Sequence, residues 1–296
     1  MRNLPMEMKR LSRERSRMTY QKQKNPKKND YLVSIITVVF NGEKYIEDTI
    51  KSIINQDYDN IEYIIIDGGS TDNSINIIRE YDKYVSIFVS EQDRGMYDAI
   101  NKGLRLAHGE IVAYLNADDQ YLPYTIKEVV KAFISKPHLD YLYGNCIYID
   151  NKKRKLYEYK SIPYIRLFVK NVKEIHWAQP SCFWKKRVHT KLGYFDDNLR
   201  YCGDYDFFTR LKCGNFNGLK INIPLSLFML HDDALSKKSH LALTAEHKSL
   251  CSKYRLKHNL FWGCLGEATF KIINIKAIIN KYFFMINKVP FFRHWR

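Results

Sequence analysis

The stretch Ile61-Glu62-Tyr63-Ile64-Ile65-Ile66-Asp67-Gly68-Gly69-Ser70-Thr71-Asp72 decides how the rest of the chain is read. Its dense β-prone run describes a strand buried on both faces, and a carboxylate followed by two glycines ends it abruptly. Similar runs lie on either side: Val33–Phe40 ahead of Asn41, Val85–Val89 ahead of Glu91–Arg94, and Ile111–Leu115 ahead of Asn116, Asp118 and Asp119. Helical spacing fills the gaps over Glu43–Asn55, Asn73–Tyr81 and Met96–Ala107. This alternation predicts an α/β fold with a mostly parallel central sheet and helices on both faces. Open sheets of that kind bind ligands outside the carboxyl ends of their strands, so polar clusters at four successive strand ends describe one site.

Past residue 120 the alternation weakens. A helix is expected near Tyr124–Ser135, strands near Leu139–Ile149 and Lys155–Lys160, and a further helix near Ile162–Lys170. The 296 residues suffice for one large domain. We expect it over residues 31–240, with a donor-facing half to about 120 and an acceptor-facing half from 121 to 240.

The net charge of +16 is carried by the ends. Residues 1–30 hold ten Lys/Arg against three acids, and residues 252–296 hold nine against one, so the part between is almost neutral. The first 30 residues read as a basic, disordered arm. Residues 241–296 read as a basic, aromatic helical tail, in which Ile272, Ile275, Ile279, Phe283 and Ile286 share a stripe. Such ends suit an anionic membrane surface, or are simply solvated. Nucleic acid is not an expected partner, because helix-turn-helix, RNA-recognition and zinc-finger patterns are absent and the charge avoids the core. Six cysteines without a CxxC pair, no signal peptide and no apolar run of spanning length place the chain in the cytoplasm, or peripherally on the inner face of the membrane. With no GxGxxG after the first strand, a dinucleotide oxidoreductase is disfavoured. The same gap, lacking a basic glycine-rich phosphate loop, disfavours a nucleotidyltransferase.

Three acidic clusters carry the expected chemistry. Asp67 sits where the following glycines allow close backbone approach, and it can accept the imide N–H of a uracil or another base; the alternative is a turn in which Ser70, Thr71 or Asp72 caps the next helix. Asp118 and Asp119 offer the oxygen donors that Mg²⁺ or Mn²⁺ prefers where a diphosphate departs, with Asp119 equally suited to bracing the loop. Asp204, in Gly203-Asp204-Tyr205-Asp206, can serve as a general base toward a hydroxyl, or stabilise a helix N-terminus.

Together the runs Val33–Asn41, Asp67–Asp72, Asp93-Arg94-Gly95-Met96-Tyr97-Asp98-Ala99-Ile100-Asn101-Lys102-Gly103, Gly109–Asp119 and Gly203–Arg210 resemble glycosyltransferase family 2, over roughly residues 32–235. The resemblance implies a GT-A nucleotide-diphospho-sugar transferase fold and an inverting, metal-dependent enzyme of the hexosyltransferase type. It would move a single sugar, from a UDP-sugar by preference, to a glycan or lipid-linked saccharide in bacterial surface polysaccharide or lipopolysaccharide synthesis. It implies donor contacts from Asn41, Asp67, Asp93, Asn116 and Asp118. Asp118 would be the metal carboxylate of the DxD element, and Asp204 the catalytic base of the ED element. His231 is a second metal candidate, and His176, Trp177 and Gln179 are acceptor-side candidates. Asn116 and Gly203 depart from the family pattern, each replacing an acid. Those departures keep open a relative that binds sugar nucleotide without turning it over, and the basic tails keep open a nucleic-acid binder. No QxxRW follows Asp204, which argues against the processive synthases.

Overall fold

A computed structural model describes residues 31–162, 177–232, 240–254, 268–275 and 278–279. The expected arm over residues 1–30, nearly all of the helix expected at Ile162–Lys170, His176, Phe283 and Ile286 lie outside the described residues.

The chain opens with β1 (Val33–Val39), α1 (Ile46–Ile54), β2 (Ile61–Asp67), α2 (Ser74–Glu80), β3 (Ile87–Ser90), α3 (Met96–Leu106) and β4 (Ile111–Asn116). It continues with β5 (Gln120–Tyr121), α4 (Thr125–Ser135), β6 (Tyr141–Asp150), β7 (Lys155–Tyr159), β8 (Cys182–Lys185), α5 (Val188–Leu192), α6 (Gly203–Cys213), β9 (Gly218–Leu230) and α7 (His240–Lys253). Nine strands form one sheet in the order β3-β2-β1-β4-β8-β6-β9-β5, with β7 on β6. β1 to β4 are parallel neighbours, β8 runs antiparallel to both β4 and β6, and β9 is parallel to β6. β6 and β9 therefore point the same way as β1 to β4, and their carboxyl ends reach the same rim of the sheet.

The two-residue period of β1 divides the core. Ile36 and Val38 pack with α3 residues Ile100 and Leu104 and with Phe207, Phe208 and Leu211 of α6. Val33, Ile35 and Val39 pack on the other face with Ile46, Ile50 and Ile53 of α1 and Ile126, Val129 and Phe133 of α4. The spacing 46, 50, 53 is one stripe of a 3.6-residue helix, and each such side chain taken from water contributes about 1.5–3 kcal/mol. α1 starts three residues later than the sequence pattern predicts, because the Tyr45 and Ile46 N–H groups bond first to the Gly42 carbonyl in a turn. β3 likewise starts two residues late, after a 3₁₀ turn over Asp82–Tyr84.

The described parts of residues 240–296 dock on the domain. Leu250 and Cys251 of α7 are buried. The Asn274 side chain accepts from the Lys160 N–H at 2.7 Å and donates to the Lys160 carbonyl at 2.9 Å, as a neighbouring strand would at the end of β7. Among the described residues no helix is long and apolar enough to cross a membrane.

Candidate active site

The loops after β1 and β2 are tied to each other. The Asn41 N–H donates to Ser70 Oγ at 2.8 Å, and its side-chain oxygen accepts the Thr71 N–H at 2.8 Å. Asn41 adopts φ 51°, a left-handed conformation that asparagine tolerates better than most residues. Asp67 is wholly buried, and its carboxylate accepts the Gly69 and Ser70 N–H groups at 3.1 Å each and the Ser90 hydroxyl at 2.7 Å. Asp72 accepts the Ser74 N–H at 3.0 Å and so starts α2 without help from Asp67. Asp93, after β3, lies directly over this loop. A Cβ at Gly68 would come within 2.4 Å of the Asp93 carboxylate, so a larger residue there would have to push that carboxylate aside.

β4 ends in Asn116, and β9 ends one residue before His231. The shared direction of these strands brings His231 Nε2 to 2.8 Å from Asp118 Oδ2 across 113 residues of sequence. The Tyr45 ring packs on the imidazole with centroids 4.4 Å apart. Asp119 turns inward, accepts the Met229 N–H at 3.4 Å and is 1% exposed; burial, and then the charge of Asp118, hold its carboxyl well above the ordinary aspartate range.

Two donors, a carboxylate oxygen and an imidazole nitrogen, match what Mn²⁺ accepts, and the remaining positions suit water and phosphate oxygens. Among the described residues no group of three or more His, Cys, Asp and Glu gathers. Two buried atoms without partners, Asn116 Oδ1 and His231 Nδ1, favour the fit: the first is an oxygen donor next in line, and the second can take the imidazole proton when Nε2 coordinates.

Asp204 is the second residue of α6. Its Oδ1 accepts the Tyr205 N–H at 2.7 Å and lies 3.3 Å from the Tyr97 hydroxyl, which also reaches the Tyr201 carbonyl at 3.2 Å. Burial raises its pKa above the ordinary aspartate value, and these hydrogen bonds only partly oppose that shift. Burial pushes the pKa of Tyr114 on β4 well up, and the charges of Asp204 and, less strongly, Asp119 add to that shift.

Residues 34–193 match the profile of Glycosyl transferase family 2, and an uncharacterized glycosyltransferase of Methanocaldococcus jannaschii is 30% identical over 233 residues, 76% of this chain and 78% of that protein. The chain belongs to glycosyl transferase family 2. The putative teichuronic acid biosynthesis glycosyltransferase TuaG of Bacillus subtilis is 39% identical over 93 residues, 30% of this chain and 37% of that protein. Among solved structures, S. aureus TarS in complex with UDP superposes with a TM-score of 0.55 at 20% identity, covering 75% of this chain and 70% of that one. The mannosyltransferase PcManGT from Pyrobaculum calidifontis, in complex with GDP-Man and Mn²⁺, gives 0.56 at 16% identity, over 94% and 88%. These structures share the GT-A fold with this chain.

The geometry gives a physical reason for the glycine at position 203, where the family resemblance implies an acid. A Cβ at Gly203 would meet the Tyr97 ring at 2.7 Å, so the ring occupies the space a larger residue would need. Trp177 lies in an aromatic cluster, 4.3 Å from the Tyr143 centroid and 5.8 Å from Phe208, and Gln179 donates to the Tyr114 carbonyl at 3.1 Å. Trp177 stands on the face of the sheet that carries α6. Sequence reading assigned no role to Tyr97, although it lies inside the quoted motif four residues after Asp93. It also missed Asn101, whose amide exchanges two hydrogen bonds with the Phe195 backbone at 2.9 and 3.0 Å and ties α3 to the segment leading to Asp204.

Proposed function

We propose that this glycosyltransferase transfers one sugar, with inversion, from a nucleotide-diphosphate sugar to an acceptor hydroxyl in surface-polysaccharide synthesis. The observation that carries the reading is the meeting of Asp118 and His231 at 2.8 Å, at the rim where the ends of β1 to β4 and β9 converge. In this reading Asn41, Asp67, Asp93 and Asn116 shape the nucleotide side, Asp67 by holding the loop that faces the base. Asp204 accepts the proton of the acceptor hydroxyl as its oxygen attacks the anomeric carbon. The bond to the diphosphate breaks with its electron pair on the departing nucleotide, so a single displacement inverts the centre. Mn²⁺ or Mg²⁺ held by Asp118 and His231 would neutralise charge on that leaving group. TuaG supports a surface-polymer acceptor, a glycan or lipid-linked saccharide. TarS with UDP and UDP-GlcNAc, and PcManGT with GDP-Man and Mn²⁺, support a nucleotide-sugar donor and a divalent metal. UDP is the first nucleotide to try.

The test is nucleotide release from UDP-, GDP- and dTDP-sugars with Mn²⁺ or EDTA, with lipid-linked acceptors present. Release from one donor that disappears with EDTA supports the proposal; absence of binding and cleavage for every donor sinks it. We also propose contact with anionic lipid. It is supported by the exposed Ile272, Ile275 and Ile279, on a segment pinned by Asn274, and by the basic C-terminal sequence. Flotation with phosphatidylglycerol vesicles but not phosphatidylcholine vesicles is the expected result; equal flotation with neither would refute it.

A further inference from the structure

α6 begins without a cap of its own. Its N-cap residue, Cys202, makes no side-chain capping bond, although a helix N-terminus leaves several N–H groups seeking acceptors and its dipole favours a negative charge there. An acceptor for the Cys202 N–H, and for the two N–H groups before it, arrives from 44 residues downstream. Glu246, on α7, accepts the Arg200 N–H at 2.9 Å through one carboxylate oxygen, and the Tyr201 and Cys202 N–H groups at 2.8 and 3.0 Å through the other. Three consecutive backbone donors thus converge on one half-buried side chain, immediately ahead of Asp204.

α7 grips the far side of Asp204 as well. Asp206 is 1% exposed, pairs with Arg210 at 2.7 Å, and receives Lys253 at 3.3 Å and the Tyr254 hydroxyl. Arg210 in turn donates to the Leu192 and Tyr194 carbonyls at 2.6 and 2.8 Å. A helix outside the family-matched region, which ends at residue 193, therefore holds the backbone of residues 200–202 ahead of Asp204 and the Asp206 side chain after it.

We infer that Glu246 is the positioning residue of the base, holding the Arg200–Cys202 backbone so that Asp204 presents its carboxylate to the acceptor hydroxyl. The inference rests on the assignment of Asp204 made above. Glu246 touches neither donor nor acceptor in this account; it acts through Asp204. Because a misplacement of about 1 Å costs on the order of 100-fold in rate, loosening this loop has a kinetic cost out of proportion to its effect on folding.

A double-mutant cycle in the full chain tests this, with nucleotide release from UDP-GlcNAc and GDP-mannose in Mn²⁺ as the assay. Glu246→Gln keeps one acceptor oxygen and should lower kcat about 10-fold, and Glu246→Ala about 100-fold, with KM for the donor unchanged within roughly 2-fold. In the Asp204→Asn background the same substitutions should change kcat less than about 2-fold, because the group they position is gone. Equal losses in both backgrounds, or a loss confined to KM, would overturn the inference. Wild-type turnover in Asp204→Asn would remove the base assignment and the role of Glu246 together. Hydrogen exchange of residues 200–206 supplies a readout that needs no turnover: protection in the wild type should fall at least about 10-fold in Glu246→Ala, and unprotected wild-type amides would refute the clamp.

Discussion

The first and second halves of the fold organise their polar residues in different ways. In the first half each candidate stands at or just past the end of a parallel strand, and neighbouring loops bind each other: Asn41 to Ser70 and Thr71, Asp67 to Ser90, Asp93 over Gly68. The scaffold is the sheet itself, and the partners come from adjacent strands. In the second half Asp204 stands at the start of a helix, held by Tyr97 from α3 and flanked by backbone that Glu246 grips from α7. Its surroundings come from three separate regions of the chain. Strand-end polar residues can thus be organised by adjacent loops, whereas the half-buried Asp204 draws its surroundings from several directions.

Four perturbations would break or sharpen that contrast. The largest effect is expected at Asp118, where Asp118→Ala should cost about 1000-fold in nucleotide release and leave no further loss on adding EDTA. A substantial EDTA effect remaining in the variant would move the metal away from this residue. Asp204→Asn follows, with a loss of about 100-fold in kcat and donor affinity preserved. Burial raises the pKa of this carboxylate, so the folded state binds its proton more tightly than the unfolded chain does. Two consequences have the same sign: the wild-type rate should fall as pH drops through a value above the ordinary aspartate pKa, and ionised Asp204 should cost stability at neutral pH. Asp204→Asn should therefore unfold at a temperature no lower than the wild type at pH 7, and a lower one would show that the hydrogen bonds to Asp204 outweigh its desolvation.

The third perturbation concerns Gly203. Gly203→Ala should destabilise by about 1–3 kcal/mol in urea unfolding, because its Cβ collides with the Tyr97 ring. Combining it with Tyr97→Ala should remove most of that cost, and additive costs would break the steric explanation. The smallest effect belongs to the first half. Asn41→Ala should cost about 1–2 kcal/mol, since alanine is strained at φ 51° and loses the acceptor for Thr71. Asn41→Gly should be milder, and the reverse order would show that the side-chain bond matters more than the backbone.

The sequence by itself carried the first half almost completely. Period-2 and buried-run patterns located β1 to β4 to within about two residues, and the position of Asp67, Asp93 and Asp118 after strand ends pointed to one rim, because parallel strands put all their carboxyl ends on the same side. Through the order of motifs it also singled out Asp204, the residue proposed here as the base. It did not carry the strand order past β4, where β8 is inserted between β4 and β6, because pairing across long connections leaves no periodic trace. Nor did it carry the partnership of Asp118 with His231, the fit of Gly203 under Tyr97, or the reach of Glu246 to Arg200–Cys202. Each of those depends on groups 44 to 113 residues apart meeting within a few ångströms. Local pattern fixes which face a residue takes and which strand end it follows; only packing of the whole sheet and its helices decides which distant groups share that end.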